Sequence, residues 1–143
     1  MNNDTKRLLE ECSAGCKMAM NSMEQVEPEV TEDHLRQIIA AYRKKHEAIE
    51  GEAAARLNRE GKPDKEASAL ASAFSWFTTE MKLMMKEDDH QIAKLMMDGC
   101  NMGIQSICQY QNRFTEAEPE AVSLAERLVH EEESFMKELK SFL

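Results

Sequence analysis

Four cysteines and four histidines carry most of the chemistry available to this 143-residue chain. Cys12 and Cys16 stand one helical turn apart, so a helix presents two sulfur donors on one face. Cys100 and Cys108 are two turns apart, and 11 methionines add thioethers, a donor supply that suits copper(I). Free cysteine and methionine are also ordinary core filler, and filler is the reading the sequence favours. His46 falls on an apolar stripe with Tyr42 and Ile49, where a histidine hydrogen-bonded inside a core belongs. His130 sits among Arg127, Glu131 and Glu133 and reads as a solvated or ion-paired side chain.

A dinuclear carboxylate centre in a bundle needs a Glu from each of two helices and Glu-x-x-His from each of the other two. Three positions before His46 and His130 stand Arg43 and Arg127, where that pattern requires glutamate. A guanidinium there also repels a dication. Glu87 and His90 have the spacing, but Asp88 and Asp89 between them read as a helix cap. The sequence therefore predicts no catalytic residue, no bound cofactor and no metal. If a modified iron or copper site survives in the core, its donors are expected to be Cys16, His46, Glu50 and Cys100. No phosphate-cradling glycine loop and no nucleophile–base signature is present.

Helices have to position these groups. Only 5 glycines and 3 prolines interrupt the chain. A first helix is expected from Asp4 or Thr5 to Glu27, stopped by Pro28, with Leu9, Cys12, Cys16, Ala19, Met20 and Met23 on one stripe. A second opens at Thr31, buries Leu35, Ile38, Ile39, Tyr42, His46, Ile49, Ala53 and Leu57, and ends at Gly61-Lys62-Pro63. Residues 64–87, rich in large apolar groups, predict a helical crossover. A fourth helix, capped by Asp88 and Asp89, runs to about Phe114 and is uncharged between Gly99 and Asn112. The fifth, about Glu118 to Phe142, is expected to bury Val122, Ala125, Leu128, Val129, Phe135, Met136, Leu139 and Phe142.

Cys-x-x-Gly occurs twice, at Cys12–Gly15 and Cys100–Gly103, 88 positions apart (100 − 12). His46 and His130 follow them, 84 apart (130 − 46). A helical hairpin used twice predicts a bundle with approximate two-fold symmetry, in which Gly15 and Gly103 face each other. Close helix approach would offset the roughly 1 kcal/mol that each helical glycine costs.

The length suits one domain, residues 1–143, with its own core. A net charge of −9 disfavours nucleic acid and anionic membrane surfaces as partners. Met1–Asp4 lacks a basic region leading into an apolar run, so reduced thiols and a cytoplasmic location are expected.

Leu9-Glu10 with Cys12 and Gly15, Trp76, Asp88-Asp89-His90 with Ile92, then Cys100, Gly103 and Tyr110 resemble an uncharacterised bacterial ferritin-like family related to the rubrerythrins. The similarity runs from about residue 5 to residue 140. It implies an all-α, ferritin-like four-helix bundle with a helical crossover between two hairpins. In relatives an acidic residue commonly follows each helix glycine; Cys16 and Ile104 stand there in this chain. The resemblance thus implies a degenerate diiron site. The expected protein is a non-enzymatic bundle, dimeric through its uncharged helix or methionine-rich crossover, with a modified metal or redox centre as the alternative.

Overall fold

The computed structural model describes residues 1–59 and 88–143. Four α-helices make up almost all of it: α1 (Asn3–Val26), α2 (Asp33–Arg59), α3 (Asp89–Arg113) and α4 (Pro119–Leu139). Short 3₁₀ turns follow α1 at Glu27–Glu29 and α4 at Lys140–Phe142. No strand occurs among the described residues, and no described helix is long and apolar enough to cross a membrane. The expected crossover at 64–87, with Trp76, and the stop at Gly61–Pro63 lie outside the described residues.

α1 pairs with α2 and α3 pairs with α4, and the two hairpins close through α1 against α3 and α2 against α4. All eight residues of the predicted α2 stripe are buried, because apolar side chains three and four apart leave one face to hide. On α4 the buried set is Ala121, Leu124, Ala125, Leu128, Glu132, Phe135 and Leu139. Val122, Val129, Met136 and Phe142, expected inside, are only half-buried at the edges of the core.

The buried positions of the two hairpins correspond in a different register from the Cys-x-x-Gly motif. Shifting the α4 set back by 86 residues gives Leu35, Ile38, Ile39, Tyr42, His46, Ile49 and Ala53, every one buried on α2. Shifting Ile92, Ala93, Met96, Cys100, Ile107 and Tyr110 of α3 back by 84 gives Leu8, Leu9, Cys12, Cys16, Met23 and Val26, again all buried. Cys100 is thus the counterpart of Cys16, one turn from the match the motif suggested. His46 is the counterpart of Glu132 rather than of the exposed His130. Burial sets the register, whereas two matching letters three positions apart can occur without it.

The helix starts also differ from expectation, and the difference ties the hairpins together. Asn2, not Asp4 or Thr5, caps α1 by accepting the Thr5 N–H at 2.8 Å. Asp4 and Thr5 instead accept the N–H groups of Glu116 (3.0 Å) and Glu118 (2.8 Å) in the α3–α4 turn. At the opposite end Asp88 caps α3, while Asp89 reaches across to the α1–α2 turn. Its carboxylate accepts the N–H groups of Thr31 (2.9 Å) and Glu32 (2.8 Å) and the Thr31 hydroxyl (3.1 Å). α2 accordingly begins at Asp33, two residues later than expected.

Burial works against the Asp89 carboxylate, but its hydrogen bonds from Thr31 and Glu32 outweigh that and hold its pKa below the ordinary 3.8. Its contribution to stability is therefore whole above about pH 3.8 and is lost as pH falls through the lowered value. Asp89→Ala is expected to cost about 2 kcal/mol, the scale of a lost cap with charged hydrogen bonds. Urea unfolding at pH 7 measures it; an unchanged midpoint would show that the turn does not depend on this carboxylate.

Candidate functional site

Two apolar clusters fill the bundle, one toward each end. The first takes Leu8 to Cys16 of α1, Ile49 to Leu57 of α2, Ile107 to Phe114 and Ala121 to Leu128. The second takes Met23 to Val30, Leu35 to Tyr42, Ile92 to Cys100, Phe135 and Leu139. Between them, at the waist, lie two buried polar side chains, His46 on α2 and Glu132 on α4. Cys16 and Cys100 are the waist-facing ends of their stretches. The waist therefore receives one residue from each helix, as two equivalent pairs: Cys16 with Cys100, and His46 with Glu132.

His46 is completely buried and both its ring nitrogens are engaged. Nδ1 lies 2.7 Å from the Tyr42 carbonyl oxygen, which only accepts, so Nδ1 carries a proton. Nε2 is hydrogen-bonded to Glu132 Oε1. Tyr42 itself stacks on Phe135 at 4.8 Å between ring centres, which fixes the approach of α2 to α4 one turn away. Burial, the largest single influence, pulls the imidazole pKa down. The hydrogen bond and charge of Glu132, with the Tyr42 carbonyl, more than reverse this and leave it above 6.5. The raised imidazole pKa favours the protonated ring facing the Glu132 carboxylate.

The thiols beside this pair are held protonated. Burial first, then Cys12, Glu132 and Glu50, push the Cys16 thiol well above its ordinary value. Burial and a hydrogen bond to Glu132 do the same to Cys100. Cys12 is pushed up to about 12 by burial and the neighbouring Glu11. All four cysteines are free. The thiolate is the nucleophile and the metal ligand, so a thiol that resists ionisation is poorly suited to both roles.

Of the four donors expected in a modified site, His46 and Cys100 hydrogen-bond to Glu132, while Cys16 feels the charges of both Glu132 and Glu50, and Glu50 itself is turned to other partners. It is half-buried, accepts from the Ser13 hydroxyl at 3.1 Å and lies 3.9 Å from Lys17 Nζ. Arg43 and Arg127 also stand away from the centre. Arg43 pairs with Glu24 and Glu27 of the first hairpin, and Arg127 grips Glu52 at 2.7 and 2.8 Å across the α2–α4 surface. Their charges therefore play no part at the waist. Gly103 meets the Glu132 carboxyl rather than Gly15: a Cβ added there would sit 3.3 Å from Oε2. The glycine leaves the room that lets a carboxylate lie between α3 and α4.

Glu132 is the residue sequence reasoning missed. Its neighbours Glu131, Glu133 and His130 made the segment look wet, yet it occupies the α4 position one turn beyond Leu128 and three before Phe135. Glu10 and Glu11, also buried, were missed as well. Glu11 accepts a hydrogen bond from Tyr110, and burial raises its pKa.

This waist does not fit a dinuclear carboxylate centre. Such a centre needs histidines three residues after two of its glutamates. Three after Glu132 stands Phe135, and three after His46 stands Ile49; the facing positions on α1 and α3 hold thiols. Among the described residues no three His, Cys, Asp or Glu side chains are grouped to hold a metal ion. No protein-family model, curated protein or solved structure matches the chain.

Removing one member of the pair leaves the other buried without its partner, whereas removing both leaves only a packing change. Glu132→Ala is thus expected to cost about 3 kcal/mol, and His46→Leu with Glu132→Leu together clearly less. Urea titration of the two variants makes the comparison; equal losses would mean the side chains are not coupled. The sign with pH follows from the raised imidazole pKa. The stability contributed by the pair is whole below about pH 6.5 and is lost as pH rises through the raised value. The double variant is expected to lack that decline.

Proposed function

We propose that this chain is a ferritin-like helical bundle whose metal centre has given way to a self-neutralising His46–Glu132 pair. In this reading it is an interaction or stress-related accessory protein of the cytoplasm, not an enzyme. The observation that carries it is the closure of the waist: both His46 nitrogens and the Glu132 carboxylate are spent on partners within the protein. The elevated thiol pKa values of Cys16 and Cys100 support it, since neither sulfur is poised for nucleophilic or redox work. Free cysteines throughout agree with a reducing compartment. Self-association through α3 is part of the proposal: Asn101, Gln105, Gln109 and Asn112 are exposed on its uncharged stretch. On a chain of net charge −9, such a face lets two copies approach with little repulsion.

Elemental analysis of protein purified without a histidine tag tests the reading. Well under one iron or copper per chain is expected. Stoichiometric iron, or thiols that resist alkylation only when copper(I) is added, would replace it with a metal-binding role.

A further inference from the structure

We propose that α3 pairs antiparallel with α3 of a second copy of this chain, each Asp98 set against the other copy's Arg113. The inference rests on the self-association named above and gives it an orientation and a recognition chemistry. Exposed positions of α3 recur at Lys94, Asp98, Asn101, Gln105, Gln109 and Asn112. Spacings of three and four keep them on one face of the helix. The uncharged stretch on that face is bounded by one charge of each sign: Asp98 before it and Arg113 after it, both exposed. About 22 Å of helix separates the two. Among the described residues neither is taken up in an ion pair, whereas Arg43, Arg56 and Arg127 all are.

The order of these charges selects the orientation. Two copies laid parallel would set carboxylate on carboxylate at one end and guanidinium on guanidinium at the other. Antiparallel pairing sets a carboxylate on a guanidinium at both ends. A second pair obeys the same arrangement. Lys94, one turn before Asp98, and the exposed Glu116, just past the helix end, are placed about nearly the same midpoint, at Gln105 and Ser106. The residues around that midpoint carry side-chain amides, and an amide both donates and accepts. Each can therefore pair with its own kind across a two-fold axis, which is what an isologous contact requires. Ile104 and Cys108, half-buried on the flank of the stripe, supply apolar surface for the contact to cover.

Charge exchange tests the pairing, read as the dimer dissociation constant of the intact chain by sedimentation equilibrium at pH 7. Asp98→Arg alone and Arg113→Asp alone should each weaken the dimer about tenfold, since every reversal appears twice in a two-fold contact. Asp98→Arg also makes this acidic chain less acidic, so overall repulsion cannot account for its weaker dimer. Mixing the two variants in equal amounts should restore native affinity, because one copy then brings two arginines and the other two aspartates. The chain carrying both changes should also dimerise like the native one. In a parallel pair, by contrast, a single reversal exchanges one like-charge contact for another and leaves the affinity unchanged. Should a reversal unfold the chain, the neutral changes Asp98→Asn and Arg113→Gln decide, each weakening the dimer about threefold. A native dimer that none of these changes weakens would overturn the proposal and leave self-association to another face. A native chain that stays monomeric would defeat the self-association reading itself, and the pairing with it.

Discussion

An imidazole and a carboxylate, both taken out of water at mid-bundle, constrain everything around them. Each alone carries a desolvation penalty of several kcal/mol, so neither is tolerable without the other. Their contact fixes the level of α2 against α4, and the Tyr42 carbonyl fixes the ring's orientation. The same contact divides one core into two apolar clusters. Glycine at position 103 follows from it as well, because a methyl group there would crowd the Glu132 oxygen.

The correspondence of buried positions puts His46 and Glu132 at matching places of the two hairpins. Two identical ionisable groups there would repel, or would need a cation between them. A histidine against a glutamate removes that need. The bundle thereby carries a polar waist whose two charged partners are of opposite kind.

Much of the scaffold was legible in the residues. The α2 stripe, with His46 on it, follows from three-and-four spacing, and Pro28 and Asp88 mark boundaries through simple backbone chemistry. A correspondence between the two hairpins was expected too, but the register in which their buried positions match was not legible. Cys-x-x-Gly draws the eye to a match of letters, while the fold matches positions by which side chains are hidden. Glu132 escaped notice for a related reason: a run of three glutamates says nothing about which one turns inward. That choice is made by a partner 86 residues away. Asp89 shows the same limit. Beside Asp88 it reads as a local cap, and only the folded chain reveals that it caps the turn of the other hairpin.

Those cross-ties bear on how the chain can vary. Surface turns between helices are ordinarily where insertions and deletions accumulate. Here the backbone amides of the two turns are held by acidic and hydroxyl side chains at the first residues of the opposite hairpin. A residue gained or lost in either turn would pull an anchor from a helix it does not belong to. The turns at 27–32 and 114–118 are thus among the segments of the fold least free to change length.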